Sequence, residues 1–208
     1  DFAAMIAHDL RSPLTSVVST ATMLEDGLLG PVNEEQTKWL GKIENNVGNL
    51  VDLVNDFLDL SKLEAGHINL AKEDVDLSLL IQNCSETYLP IANSKGITLQ
   101  GRLGTDPVHC QADPRRLDQV LNNLLSNALK FTAAGGRIEV GASQENRSYV
   151  ALWVKDTGVG VPREEIGTLF QKYKQTASGK SSQHKGTGLG LVICKMIVEA
   201  HGGHISVE

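Results

Sequence analysis

The chain has 208 residues, a formal net charge of −6 at pH 7 and a hydrophobic content of 41%. That length suits one large domain or two small ones, and that composition is typical of a soluble globular protein. The acidic balance argues against a nucleic-acid-binding surface, which would require a basic face. The three cysteines, Cys84, Cys110 and Cys194, show neither disulfide nor metal-site spacing.

Residues 1–65 carry the three-to-four-residue periodicity of amphipathic helices. Gly27, Gly30 and Pro31 predict a turn between two helices, and Asn33 is a candidate N-cap of the second. The apolar seam of the second helix consists of Leu40, Ile43, Val47, Leu50, Val54 and Phe57. Further apolar residues widen this face beyond what one hairpin can bury, so the sequence predicts a homodimer that forms a four-helix bundle.

A histidine interrupts the first helical pattern on its polar side. His8 lies about 200° around the helix from Ile6 and therefore faces away from the seam. Ser12 follows one turn later on the same face, and Pro13 is expected to bend the helix because it removes a backbone hydrogen bond. A lone histidine on such a face is most often a solvated residue, so the hairpin by itself leaves the role of His8 open.

Beyond a boundary near Gly66, short strands and helices predict one α/β domain. Strands are predicted at 67–75, 96–103, 108–113, 136–143 and 148–155, and helices at 77–93, 114–131 and 188–200. Residues 157–187, rich in Gly, Ser, Lys and Thr, are predicted to form a long loop around one short helical segment. A loop of that length in a compact domain is usually functional or mobile.

The predicted helix at 114–131 carries an unusual polar face. Asn123, Asn127 and Lys130 fall within an arc of about 60°, away from the apolar stripe. Asparagine is a mediocre helix former, so two on one face need a reason. One interpretation is a solvated surface. The other is a ligand site, because an amide oxygen can bind Mg²⁺ and a lysine one turn on suits a phosphate.

Two glycine clusters follow this helix. Asp156 ends a predicted strand, where it can accept a hydrogen bond from an exocyclic amine, and Gly158 and Gly160 let the backbone turn tightly against a flat ligand. GTGLG at 186–190 opens a helix whose N-terminal amides suit a phosphate. It is not a P-loop, because it lacks the GK[ST] ending and no strand immediately precedes it. Either cluster alone is a weak signal, and the order of all the motifs is the specific one.

In that order, the motifs resemble the catalytic core of the sensor histidine kinases of two-component systems. FAAMIAHDLRSPLTSV resembles the histidine box of this family, and LNNLLSNALKFT resembles its asparagine box. VKDTGVGVP and HKGTGLGL resemble its two glycine boxes, and LFQKYKQ its phenylalanine motif. The asparagine and glycine boxes alone would indicate only the wider ATPase superfamily shared with type II topoisomerases and mismatch-repair proteins. The hairpin with its histidine distinguishes the kinases.

The resemblance implies a dimerisation and histidine-phosphotransfer domain at 1–66. It implies an ATP-binding α/β sandwich at 67–208, with a mixed sheet and helices on one face. Such a core phosphorylates its own histidine from ATP and passes the phosphoryl group to an aspartate on the receiver domain of a response regulator. Because the chain begins inside a helical pattern and contains no membrane span, we expect a cytoplasmic segment of a longer protein. Membrane anchoring of that longer protein stays open.

The resemblance also implies residue roles. His8 is the phosphoacceptor, Asp9 orients its ring, and Ser12 stands where the family usually has the Thr or Asn that supports dephosphorylation of the regulator. Because Ser12 departs from that pattern, a phosphatase activity stays open. Mg²⁺ is expected on Asn127, helped by Asn123. The full set implied to bind the nucleotide is Asn123, Asn127, Lys130, Phe131, Asp156, Gly158, Gly160, Phe170, Lys185, Gly186, Thr187, Gly188, Leu189 and Gly190.

Within the loop at 157–187, the resemblance makes Phe170 an anchor of a nucleotide lid and places Lys180, His184 or Lys185 near the phosphates. Tyr173 stands where a second phenylalanine is common. Two other hypotheses stay open from the sequence. One is a related ATPase in which nucleotide drives conformational change and His8 is incidental, and the other is a non-catalytic dimeric scaffold. His201 and His204 are predicted to be turn residues rather than metal ligands.

Overall fold

The computed structural model describes residues 2–64, 69–104, 107–146, 148–174 and 187–208. The chain divides into two compact units, Asp1–His67 and Ile68–Glu208. Within the described ranges, no helix has the length and apolar character needed to cross a membrane.

The first unit is a helical hairpin of α1 (Phe2–Glu25) and α2 (Glu34–Glu64). α1 continues through Pro13 as one unbroken helix. Asn33 and Gln36 form a reciprocal capping box at the start of α2. Gln36 N donates to Asn33 Oδ1 at 2.9 Å, and Asn33 N donates to Gln36 Oε1 at 2.8 Å. The prediction that Asn33 caps the second helix is therefore confirmed.

The hairpin buries only part of its apolar surface. Leu40 and Val47 are buried, and Thr22 Oγ1 donates to Glu44 Oε1 at 2.9 Å across the two helices. The large hydrophobic side chains that stay exposed in this unit include Leu10, Val17, Ile43, Leu50, Leu53 and Phe57. Only some members of the seam predicted from the sequence are thus buried by the hairpin itself.

The second unit contains two sheets. In the smaller one, β1 (Glu73–Asp76) pairs antiparallel with β3 (His109–Ala112). In the larger one, β2 (Thr98–Arg102) runs parallel to β4 (Arg137–Gln144), and β4 pairs antiparallel with β5 (Val150–Asp156). The strand order is β2-β4-β5, and the sheet is mixed because it contains one parallel and one antiparallel pairing.

Helices complete the second unit: α3 (Leu77–Ser94), α4 (Pro114–Phe131), the short α5 (Arg163–Ile166) and α6 (Gly190–Ala200). Side chains from α3 and α4 pack with those of β2 and β4 in one core. Its buried members include Ile81, Cys84, Leu99, Leu121, Leu125, Ala128, Leu129, Ile138 and Val140. The unit is the α/β sandwich with a mixed sheet that the sequence predicted.

Element boundaries follow local chemistry where local chemistry is strong. α4 spans the predicted 114–131, because Asp113 caps it through hydrogen bonds from Arg115 N and Arg116 N and because Pro114 suits the first turn. The predicted strand at 67–75 is wrong over much of its length. Described residues 69–72 are not in a strand, because pairing with β3 begins only at Glu73.

Candidate active site

The polar face of α4 contains two amides without partners. Asn123 and Asn127 are half-buried, and within the described residues neither side chain makes a hydrogen bond. Asn122 differs, because its Nδ2 donates to Asp118 Oδ2 at 2.8 Å and its Oδ1 accepts from the Cys84 thiol at 3.5 Å. Asn123 and Asn127 thus present amide groups that are not hydrogen-bonded to any other described residue, and these groups are available to a ligand on this face of α4.

Lys130, at the end of the same face, is also partly desolvated. Burial lowers the pKa of its ammonium from the usual value. Its Nζ lies 5.2 Å from the centroid of the Phe131 ring, and no carboxylate pairs with it among the described residues. A cation that is partly removed from water interacts more strongly with an incoming anion, because the local dielectric constant is lower.

The turn after β5 is built against the end of α4. Asp156 Oδ1 accepts a hydrogen bond from Gly158 N at 2.8 Å, and Val159 N donates to Phe131 O at 3.3 Å. A Cβ added to Gly158 would lie 2.5 Å from Phe131 O, so no side chain fits there. Gly160 has a φ of 66°, which also favours glycine. Within the described residues, Asp156 Oδ2 receives no hydrogen bond, and the residue is exposed.

The start of α6 lies beside Asn123. Thr187 Oγ1 accepts from Leu189 N at 3.1 Å, and Leu189 itself is buried. A Cβ added to Gly190 would lie 3.2 Å from Asn123 Oδ1. Glycine at this position therefore lets the start of α6 approach Asn123 closely, and the N-terminal amides of a helix attract anions.

The described flanks of the long loop meet each other. Tyr173 N donates to Gly188 O at 3.2 Å, and both residues have positive φ values, 61° and 71°. A positive φ is uncommon for a tyrosine. Phe170 is half-buried just before this point. Lys180, His184, Lys185 and Gly186 lie outside the described residues.

The residues proposed for phosphoryl acceptance lie in the first unit, on α1. The backbone of His8 is helical, and its side chain lies outside those described. Asp9 and Ser12 are both exposed. Ser12 follows His8 by four residues in an uninterrupted helix, which places the two on one face, as the sequence predicted.

Comparison with known protein families accounts for both units. Residues 1–66 match the His Kinase A (phospho-acceptor) domain, and residues 112–208 match the histidine kinase-, DNA gyrase B-, and HSP90-like ATPase family. The chain belongs to the sensor histidine kinases. The resemblance drawn from the five sequence motifs is thereby confirmed.

Individual histidine kinases align with the whole chain. It is 39% identical over 210 residues to the circadian input-output histidine kinase CikA of Synechococcus elongatus, and 36% identical over 212 residues to the sensor protein GacS of Pseudomonas syringae pv. syringae. It spans 28% and 23% of those two proteins, about a quarter of their length. The crystal structure of full-length ShkA in complex with AMPPNP is similar with a TM-score of 0.75 and 32% identity, covering 96% of this chain and 41% of that one.

Two side chains of the second unit have features that sequence reasoning did not predict. Thr132 is buried directly after α4, and its hydroxyl has no hydrogen-bond partner among the described residues. The signal for it was its position in the asparagine-box sequence LNNLLSNALKFT. His201 was predicted to be a turn residue, but it also makes a hydrogen bond to the start of α4. No local sequence pattern predicts the hydrogen bond between His201 and Asp113.

Proposed function

We propose that the second unit binds ATP with Mg²⁺ and that the γ-phosphoryl group is transferred to His8. The observation that carries this proposal is the pair of half-buried, unpartnered amides on α4, Asn123 and Asn127, with the glycine-lined start of α6 beside them. In a protein of the histidine kinase family, such groups are the ones expected to face a nucleotide.

The adenine end of the site is assigned to the turn after β5. Asp156 uses Oδ1 to accept from Gly158 N, which orients the carboxylate and leaves Oδ2 to accept a hydrogen bond from the exocyclic amine of adenine. Because a Cβ at Gly158 would meet Phe131 O, glycine lets this turn pack against the end of α4 and keeps Asp156 in place there. Gly160 and Phe131 complete this end of the proposed site.

The phosphate end is assigned to the start of α6 and to Lys130. Amides at a helix N-terminus attract anions through their unpaired N–H groups and the helix dipole. Thr187, Gly188, Leu189 and Gly190 bring those amides next to Asn123. Lys130 adds a positive charge whose desolvation strengthens its attraction for a phosphate.

The donor set also fits a magnesium ion that arrives with the nucleotide. No group of three or more His, Cys, Asp or Glu residues in the described ranges could hold a metal. Mg²⁺ commonly takes only one or two protein oxygens and completes its shell with water and substrate phosphates. The amide oxygens of Asn127 and Asn123 would hold it, and its charge would neutralise part of the charge on the phosphates.

Transfer to His8 requires a neutral imidazole, which is a large fraction of histidine at neutral pH. One ring nitrogen attacks the γ-phosphorus. A nitrogen–phosphorus bond forms, the bond from the γ-phosphorus to the bridging oxygen breaks, and ADP leaves with that electron pair. Asp9 holds the proton of the other ring nitrogen and orients the ring, and this proton is released as the phosphorylated ring returns to neutrality. Positioning and charge neutralisation supply most of the catalysis in such transfers.

We extend the proposal to assembly and to the partner. Residues 1–66 would form the dimerisation and phosphotransfer domain of a homodimer, and residues 67–208 would form the ATP-binding domain. The phosphoryl group would pass from His8 to an aspartate on the receiver domain of a response regulator. Phosphotransfer profiling against a panel of purified receiver domains would identify that partner.

The test is the chemical stability of the label left on the protein by γ-labelled ATP and Mg²⁺. We expect a label that is labile in acid and stable in alkali, as a phosphohistidine is. Asn127→Ala should lower the rate of labelling on the order of 10²-fold, because a group that stabilises the transition state has about that effect. Ser126→Ala, an exposed neighbour on the same helix, is the matched control and should label normally.

The same assay separates the other two hypotheses. Nucleotide binding and hydrolysis without any label on the protein would indicate an ATPase module in which His8 is incidental. Absence of nucleotide binding at millimolar ATP would leave only a scaffold role.

A further inference from the structure

We infer that His201 is a positioning residue that sets the register of α6 against α4 and thereby holds Gly190, at the start of α6, beside Asn123. This inference rests on the proposed function, since it concerns the geometry of the same nucleotide site. His201 belongs to the turn that ends α6, at the opposite end of that helix from Gly190.

Both ring nitrogens of His201 make polar contacts, and these contacts define which nitrogen carries the ring proton. Nδ1 lies 2.8 Å from Ile197 O, and Nε2 lies 3.0 Å from Asp113 N. A carbonyl oxygen can only accept and a backbone N–H can only donate. Both contacts are therefore hydrogen bonds only when Nδ1 carries the ring proton and Nε2 carries the lone pair. The ring joins the end of α6 to the residue that caps α4.

Asp113, the N-cap residue of α4 that His201 contacts, makes several hydrogen bonds of its own. Asp113 is buried, and its carboxylate accepts from Arg115 N and Arg116 N in the first turn of α4. The other carboxylate oxygen accepts from Ala71 N at 3.0 Å. His201 therefore attaches α6 to a backbone position that three other donors already hold in place.

Three contacts show that α4 and α6 pack antiparallel in one continuous register. His201 meets Asp113, the Cys194 thiol lies 3.8 Å from Val120 O, and Gly190 packs against Asn123. From Asp113 to Asn123, the chain advances by ten residues along α4, and the contacting residues on α6 run back by eleven, from His201 to Gly190. Helices packed in this way move as rigid rods, so an axial shift of α6 at His201 is transmitted to Gly190, about 16 Å away at 1.5 Å per residue.

The contact at Gly190 has little tolerance for such a shift. An added Cβ would lie 3.2 Å from Asn123 Oδ1, so the helix backbone already approaches the amide closely. Movement in one direction would press the start of α6 into Asn123, and movement in the other would withdraw the α6 amides from the proposed phosphate position. Displacements of about 1 Å in a site of this kind can cost up to about 10²-fold in rate.

Two substitutions separate the long-range contact from the local one. In His201→Gln, the side-chain oxygen reaches about as far as Nε2 and can still accept from Asp113 N. In His201→Asn, the shorter amide can still donate to Ile197 O but cannot reach Asp113. His204→Asn, at an exposed histidine three residues further on, is the matched control.

The first measurement is the affinity of the whole chain for Mg²⁺-ATP, by titration calorimetry, alongside the thermal midpoint of each variant. We expect His201→Asn to bind ATP about three- to tenfold more weakly, because loss of one net hydrogen bond depopulates the competent register by that factor. His201→Gln and His204→Asn should bind within about twofold of the wild type. Equal affinity of folded His201→Asn and the wild type would overturn the inference. If His201→Asn does not fold, weakened binding by folded His201→Gln would overturn it, and normal binding would support it.

The second measurement does not depend on nucleotide binding. With ¹⁵N-labelled histidine in the ligand-free protein, the His201 ring should show a protonated Nδ1 and an unprotonated Nε2. A ring protonated at Nε2 would overturn the inference. The amide resonance of Gly190 should shift in His201→Asn and not in His201→Gln, and an unshifted resonance in both would count against the register. If the wild type binds no ATP, the proposed function fails, while these resonances still decide the role of His201.

Discussion

The two units of this histidine kinase core leave different kinds of groups unsatisfied. The second unit closes its own core, in which Ile81, Leu121 and Ile138 have no exposed surface. The first unit leaves Leu50 and Phe57 each 49% exposed. Surplus apolar surface on a hairpin calls for another protein surface, because burial of such area stabilises an interface.

The polar groups show the reverse pattern. In the second unit, Asn123 and Asn127 are half-buried without partners among the described residues, whereas the polar residues Asp9 and Ser12 on α1 are exposed. The exposed apolar surface of the hairpin underlies the proposed dimer, and the unpartnered amides of the second unit underlie the proposed nucleotide site. Variants that remove the acceptor, the nucleotide site or the apolar surface test the two units separately.

The largest expected effect is the complete loss of labelling, by two different routes. His8→Ala should abolish labelling from γ-labelled ATP and leave the affinity for ATP near normal, because the proposed acceptor and the proposed nucleotide site lie in different units. Asp156→Asn should lose ATP binding and therefore also labelling. Filter-binding of labelled protein and titration with ATP measure the two properties separately.

Mixing the two variants sharpens this result. In a mixed dimer, His8 of the Asp156→Asn subunit should become labelled when transfer runs between subunits. Normal labelling of the His8→Ala protein would contradict the assignment of the acceptor.

The next largest effect concerns the apolar surface of the hairpin. Leu50→Asp together with Phe57→Asp should give monomers, because both side chains are exposed on the hairpin and burying unpaired charges in an interface costs roughly several kcal/mol. Light scattering measures the mass. Leu79→Asp is the matched control, because Leu79 is also an exposed hydrophobic residue but lies in the second unit, and it should leave the mass unchanged.

The wild type supplies the contradicting outcome. A chain that stays monomeric on the order of tens of micromolar, where a good interface is occupied, would rule out the four-helix bundle formed by two copies.

Local signals account for what the sequence predicted well. The bounds of α4 were predictable because Asp113 and Pro114 act on adjacent residues, and Asn33 was recognisable as a cap for the same reason. The polar face of α4 followed from helical periodicity alone. β1 was predicted too long because pairing with β3, more than thirty residues away, decides where the strand begins.

The role of His201 could not be predicted for a related reason. Its hydrogen bond to Asp113 joins residues 88 positions apart, and a histidine before two glycines is also what an ordinary helix-ending turn contains. Asn122 and Asn123 were distinguishable only by helical face. Asn122 meets Asp118 one turn away on α4 and Cys84 on α3, and the contact with α3 could not be predicted from the sequence.

A smaller effect is expected at the exposed face of α1. Ser12→Ala should keep labelling of His8 within a few-fold but slow dephosphorylation of the cognate regulator by roughly 10²-fold, because a hydroxyl can hold the attacking water in place. Ser12→Thr should keep or raise that activity. The measurement is the decay of purified phospho-regulator with each variant and a non-hydrolysable ATP analogue.

Two outcomes would change this assignment. If the wild type and Ser12→Ala accelerate decay equally, Ser12 has no part in dephosphorylation. If the wild type has no effect, the protein acts only as a kinase.

The smallest predicted effect tests the self-sufficiency of the second unit. Burial would raise the pKa of Asp113, but backbone hydrogen bonds from Ala71, Arg116 and Arg115, together with the charge of Arg116, outweigh burial and hold its pKa below the usual value. Because the folded state binds this proton less readily than the unfolded state, the stabilisation is fully present above the ordinary aspartate pKa of about 3.9 and is lost as the pH falls through the lower, folded-state pKa.

Asp113→Ala should therefore lower the free energy of unfolding at neutral pH by about 1–2 kcal/mol, the usual effect of removing an N-cap. Asp113→Asn keeps an oxygen that can cap α4 but has no charge to titrate, so its stability should fall less than that of the wild type between about pH 5 and pH 3. Urea unfolding measures the free energy of unfolding of both variants through the fluorescence of Trp153, which is half-buried in β5. Trp39 is replaced by Phe in all the proteins, so that the hairpin gives no fluorescence signal. An acid dependence as steep in Asp113→Asn as in the wild type would show that other carboxylates control the acid stability of this unit, and that the cap acts there through its shape and not through its charge.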